Sequence, residues 1–202
     1  RAFFDAGGRV IDSSPMYGAA EAVVGDLAGE LGVADKLFLA TKVWASGREA
    51  GLAQMEQSFR RLRARRLDLM QIHNLLDWRA QLRTLRDWKA AGRLRYIGVT
   101  HYTAGAHDEL ERVLRAEPLD FVQVNYSAGE REAEQRILPL ARDRGIAVLV
   151  NRPFTEGALF QRVRGQSLPA WAADFGAESW AQLFLKWILA HPAVTCAIPG
   201  TT

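Results

Sequence analysis

The sequence predicts an α/β chain of the (β/α)8 TIM-type barrel class, with seven of the eight strands present in one incomplete domain over residues 1–202. Three observations carry this expectation. Short and almost continuously apolar runs recur along the chain, segments with helical spacing separate them, and the first six runs begin roughly 24 to 31 residues apart. That spacing is close to the ~31 obtained when a ~250-residue barrel is divided into eight units. Continuous apolar runs suit strands of a parallel sheet covered on both faces, whereas a half-exposed strand would alternate.

Taken in order, the predicted strands are residues 9–12, 37–42, 68–73, 96–100, 120–125, 147–150 and 194–199. The predicted helices are 19–31, 50–65, 79–91, 104–116, 132–144 and 179–190. Gly32, Gly92 and Gly145 follow three of these helices, at the place where a left-handed residue ends a helix. A doubly wound open sheet shares the alternation, but its Gly-rich turn between first strand and first helix is missing. A parallel barrel short of one strand has two unpaired edges. Residues 1–8 resemble the last turns and glycine stop of a helix. The sequence therefore predicts a strand and most of a helix before Arg1, and a packing helix after the last strand.

Composition narrows the function classes. With 49% hydrophobic residues, the chain can bury a substantial core. The net charge of +3, from 26 basic against 23 acidic residues, is too mild to point to a polyanion, so no nucleic-acid partner is expected. The run Arg60, Arg61, Arg63, Arg65 and Arg66 reads as a solvated helix end. One cysteine, Cys196, allows neither an internal disulfide nor by itself a zinc site, and no metal is expected. No run approaches the ~20 apolar residues of a membrane span. The default expectation is a cytoplasmic monomer or weak homo-oligomer without membrane contact; any targeting segment would lie upstream of Arg1.

Polar residues gather where such barrels place their chemistry, at the carboxyl ends of the strands. The first predicted strand ends in Asp12 and its loop carries Tyr17; the second ends in Lys42 and the third in His73. Taken singly these are a cap, a loop aromatic, a solvated lysine and a structural histidine. Together they match carbonyl reduction. Hydride addition leaves an alkoxide, which needs a proton donor within hydrogen-bond reach. Tyr17 is the candidate donor. An ammonium beside a phenol favours the phenolate, and a carboxylate keeps a buried lysine charged; Lys42 and Asp12 supply these. A neutral His73 would orient the carbonyl and stabilise the growing negative charge.

Asp12-Ser-Ser-Pro-Met-Tyr17-Gly18, the strand end at Lys42 and Gln71-Ile-His73 resemble the tetrad motifs of the aldo-keto reductase family, and the match covers nearly the whole chain. The resemblance implies an NAD(P)H-dependent carbonyl reductase, with NADP(H) favoured over NAD(H) and a small aldehyde or ketone as substrate. It places Thr100, His101 and Gln123 at the nicotinamide carboxamide. Asn151, Arg152, Pro153, Phe154 and Gly157 fall in the strand end and loop that cover the cofactor, and Ile198, Gly200 and Thr201 in the last strand and its cofactor loop. His101 stands where the family commonly has Asn. Asn151 replaces the aromatic ring that normally stacks on the nicotinamide, with Phe154 the candidate substitute and Arg152 a candidate phosphate ligand. The long connection 151–178, with Gly157 and Gly165, would fold over the pyrophosphate.

Met16, Trp44, Trp78 and Tyr126 follow strand ends and are the expected walls of the substrate cleft. Two other classes remain open at this point. The family includes cofactor-binding members that act mainly as regulatory subunits, and a barrel hydrolase shares the fold class, although the chain has no Gly-x-Ser-x-Gly turn.

Overall fold

A computed structural model describes residues 1–200 of the chain, which folds as two compact units meeting in sequence between Thr100 and His101. The first unit opens with a short helix α1 (Ala2–Asp5) and then alternates strand and helix: β1 (Val10–Asp12), α2 (Ala20–Glu30), β2 (Phe38–Val43), α3 (Arg48–Arg61), β3 (Leu67–Ile72), α4 (Trp78–Ala90) and β4 (Leu94–Thr100). Its strands pair in chain order and all in parallel. The register sets Asp12 against Ala40 and Lys42 against Gln71, so polar residues collect at the carboxyl ends.

Composition explains the helices. In α4 the buried residues Trp78, Gln81, Leu82, Leu85 and Trp88 recur every three or four positions, the stripe by which a helix covers a sheet. Arg93, at the entry to β4, donates to both carboxylate oxygens of Glu56 at 2.7 and 2.9 Å. Its guanidinium also lies 3.8 Å from the centre of the Trp88 ring, which clips α3 to α4. Helices α2 and α3 approach closely at Gly25, where a Cβ would fall 2.3 Å from the Arg61 carbonyl oxygen.

The second unit carries α5 (His107–Ala116), β5 (Phe121–Asn125), α6 (Ile137–Asp143), β6 (Ala147–Asn151), α7 (Ala158–Arg162), α8 (Trp180–Leu189) and β7 (Cys196–Ala197). Its strands are again parallel in chain order, with Asn125 against Asn151 and Val150 against Ala197. Among the described residues no helix is long and apolar enough to cross a membrane.

The seven strands fall where the sequence predicts them, and the boundaries show where local chemistry prevails. The fourth predicted helix, from 104, opens as a 3-10 turn, Ala104–Ala106, before α5. The fifth, predicted from 132, becomes helical at Ile137 with Pro139 in its first turn, where a missing N–H costs nothing. The connection 151–178 contains α7 and a 3-10 segment, Ala170–Phe175, neither of them predicted. The arginine run is not simply solvated: Arg61 reaches the buried Glu21 at 3.6 Å, and Arg63 pairs with Asp26.

Gly25→Ala should cost about 1–3 kcal/mol, because the Arg61 carbonyl is backbone and cannot rotate aside. Urea unfolding of the variant against the unaltered protein measures it.

Candidate active site

The first unit brings Asp12, Tyr17, Lys42 and His73 together. Lys42 is fully buried, and its Nζ donates to Asp12 Oδ2 at 2.5 Å and to the Ser13 carbonyl at 2.8 Å. The other Asp12 oxygen accepts from Gln71 Nε2 at 2.9 Å. An ammonium taken out of water in this way is held by a paired, hydrogen-bonded carboxylate, the condition under which a buried ion pair survives. The same Nζ lies 5.1 Å from the centre of the Tyr17 ring. His73, the first residue of a 3-10 turn just past β3, meets Tyr17 edge-on with ring centres 6.4 Å apart.

These groups form two layers. Lys42 and Asp12 are shielded, while Tyr17 is 49% exposed and flanked by the exposed Met16 and Trp44. The Trp44 ring lies 6.5 Å from His73. Its backbone is braced on both sides: Gln54 accepts from the Trp44 N–H at 2.6 Å and donates to its carbonyl at 3.1 Å. Gln81 Nε2 donates to the carbonyls of Ala45 and Gly47, and Asp77 accepts the Gly47 N–H at 2.7 Å.

Two of the expected cleft residues are corrected. Trp78 is 8% exposed as the first residue of α4, with the Arg79 guanidinium over its ring, so it packs inward. Tyr126 is 1% exposed; it stacks on Trp187 and its hydroxyl donates to Glu134 at 2.6 Å. Burial and that carboxylate raise the Tyr126 pKa well above the ordinary phenol value. Both residues follow strand ends in sequence, yet both are buried.

In the second unit His101, Gln123 and Asn151 cluster. Asn151, the last residue of β6, donates from Nδ2 to the His101 carbonyl at 3.1 Å and to Gln123 Oε1 at 3.5 Å. Its Oδ1 is buried and has no partner among the described residues. His101 Nδ1 accepts the backbone N–H groups of Tyr102 and Thr103 at 3.0 and 3.4 Å, which puts the ring hydrogen on Nε2. Burial lowers the His101 pKa, against a smaller pull upward from Glu109. A primary amide such as the nicotinamide carboxamide presents both N–H and C=O, and here Asn151 holds an orphaned acceptor beside the Gln123 amide. The residues present therefore fit that group. Thr100, the last residue of β4 in the first unit, is buried, and its Oγ1 accepts the Asn74 N–H at 3.5 Å.

The loop after β6 packs closely on its own side chains. Arg152 donates to the Tyr102 carbonyl at 3.1 Å and lies 3.5 Å from Glu130 and 3.6 Å from Glu156. The Phe154 ring centre lies 4.8 Å from that of Phe160, and the Phe160 ring in turn meets Phe184. Pro153 is buried between them, and Gly157 supplies the left-handed N-cap of α7 at φ 88°. Ile198 donates its N–H to the Val150 carbonyl at 2.9 Å. Gly200 is exposed, and Thr201 lies outside the described residues.

The model of the Aldo/keto reductase family matches residues 1–202. The chain belongs to the aldo/keto reductase family. It is 32% identical over 174 residues to aldo-keto reductase YhdN of Bacillus subtilis, a match covering 79% of the chain and 52% of that protein. It is 29% identical to methylglyoxal reductase YeaE of Escherichia coli, over 98% of the chain and 72% of that protein. The chain thus spans about half the length of the first relative. Among solved structures, an aldo/keto reductase from Klebsiella pneumoniae in complex with NADP and acetate is 27% identical with a TM-score of 0.81, covering 98% of the chain and 72% of its own. The same family structure in complex with NADPH gives a TM-score of 0.82. The fold class is accordingly that of (β/α)8 barrels, seven strands of which lie in the described residues.

The sequence named Gln71 only as part of a motif, and Ser14, Gln54 and Gln81 not at all as site residues. An amide two residues before a strand-end histidine, facing Lys42 across the ladder, was the available signal for Gln71.

Asp12→Ala should destabilise the protein by about 3–5 kcal/mol, since it strands a buried ammonium; chemical unfolding reads this without any turnover. For His101, NMR titration should find the proton entering below the usual ~6.5. As pH falls below that value the unfolded chain binds the proton first, so stability declines until the folded-state midpoint is passed.

Proposed function

We infer that the protein is an NAD(P)H-dependent carbonyl reductase in which Tyr17 delivers the proton. The observation that carries this is the shielded Lys42–Asp12 pair behind an exposed Tyr17, with His73 edge-on to the same ring. The nicotinamide, when bound, supplies the hydride. Everything else falls to the chain's own side chains.

A small aldehyde or ketone would approach the exposed face between Met16, Tyr17 and Trp44, whose apolar surface excludes water. His73 would donate a hydrogen bond to the carbonyl oxygen and orient it. As that oxygen gains charge, the Tyr17 hydroxyl releases its proton to it, and the Lys42 ammonium stabilises the phenolate left behind. Asp12, fixed by Gln71, keeps Lys42 charged and aimed. His101 Nε2–H, Gln123 and the orphaned Asn151 oxygen would hold the carboxamide, and Thr100, the last residue of β4, is a further candidate contact for it. We favour NADP(H), as bound in the Klebsiella pneumoniae proteins, over NAD(H); a 34% match over 88 residues to the NADH-specific methylglyoxal reductase of Escherichia coli points the other way over a smaller part of the chain.

Tyr17→Phe should lower kcat by about 100-fold or more while leaving NADPH affinity unchanged, because only the proton donor is lost. NADPH oxidation with a panel of small aldehydes, beside a fluorescence titration of the cofactor, checks both. Binding of NADPH by the unaltered protein with no consumption across the panel would favour a cofactor-binding regulatory protein instead.

A further inference from the structure

We propose that Ser14 is a positioning residue that fixes the ring tautomer of His73, and thereby sets which nitrogen faces the substrate carbonyl. The proposal rests on the reductase function above and names a residue that this function did not require.

Ser14 is fully buried in the loop between β1 and α2. Three polar contacts meet on it. Its carbonyl accepts the Tyr17 N–H at 3.0 Å, closing a turn with Pro15 at the second position, where a fixed φ is favoured. Its Oγ accepts the Met16 N–H at 3.2 Å. The same Oγ lies 3.4 Å from His73 Nδ1.

The proposal gives the last contact one direction, with Ser14 as donor. With the Oγ already accepting from Met16, its own hydrogen is available for the ring, and a hydroxyl donating to Nδ1 requires that nitrogen to be unprotonated. A neutral imidazole then carries its hydrogen on Nε2, the nitrogen turned away from Ser14. That is the tautomer able to donate to a carbonyl oxygen. Its alternative, with the hydrogen on Nδ1, would offer a lone pair to the same oxygen and repel it.

One serine thus ties the Tyr17 backbone and the His73 ring together, so the proton donor and the carbonyl-orienting group are registered through a single buried side chain. Ser13, its neighbour, serves the other half of the site through its carbonyl on Lys42.

The test uses protein labelled with 15N-histidine. Two-bond ring correlations report the tautomer of each of the four histidines, and His73→Gln assigns the relevant one. The unaltered protein should show His73 as the Nε2–H form at pH 8, and Ser14→Ala should shift population to the Nδ1–H form. Reduction by Ser14→Ala should lose roughly 3- to 10-fold in kcat, the range one hydrogen bond can hold, with NADPH affinity unchanged. Ser14→Thr, which keeps a hydroxyl, should restore the tautomer and most of the rate. An Nδ1–H ring in the unaltered protein would overturn the proposal whether or not the variants fold, as would an unchanged ring in Ser14→Ala. Because the tautomer is read without turnover, a locked Nε2–H ring in a protein that reduces no carbonyl would count against the reductase function alone.

Discussion

The ion pair between Lys42 and Asp12 is the constraint from which the site follows. A fully buried ammonium is tolerable only with a close carboxylate and with its remaining hydrogens placed, and the chain meets this with Asp12 Oδ2 and the Ser13 carbonyl. The pair also fixes the backbone around it. Asp12 must end β1 and Lys42 must lie near the end of β2, and parallel register then brings Gln71 of β3 opposite Lys42, where its amide reaches the second carboxylate oxygen. Sheet register and electrostatics therefore specify each other.

Outside that buried layer the chemistry is exposed and held from behind. Tyr17 depends on the turn closed by Ser14, His73 on the 3-10 turn that follows β3, and Trp44 on amides of α3 and α4. Asn74, Leu75 and Asp77 all take left-handed backbone, an arrangement costing about 1–3 kcal/mol per residue that persists only where the surroundings impose it. Here the buried Leu75 and the hydrogen bond from Gly47 to Asp77 impose it. These left-handed residues bend the chain directly after His73.

Much of this was legible in the sequence, because the barrel alternation and the strand-end positions of Asp12, Lys42 and His73 are properties of period and order. What was not legible depends on competition for surface. Tyr126 and Trp78 follow strand ends as an exposed aromatic would, but only coordinates reveal that Trp187 and Glu134 claim the first and that α4 turns the second inward. Arg152 suited a phosphate by type, yet Glu130 and Glu156 come near it from other parts of the loop structure. Residue type announces what a side chain can bind, and tertiary neighbours decide what it does bind.

The brace around residues 44–47 has an evolutionary implication. Gln54, Asp77 and Gln81 grip that loop almost wholly by its main chain, so the identity of the side chain it displays is free to change without disturbing the anchor. The loop is built like a socket with an interchangeable fitting, in which a lineage can exchange the tryptophan while the side chains around it keep their places.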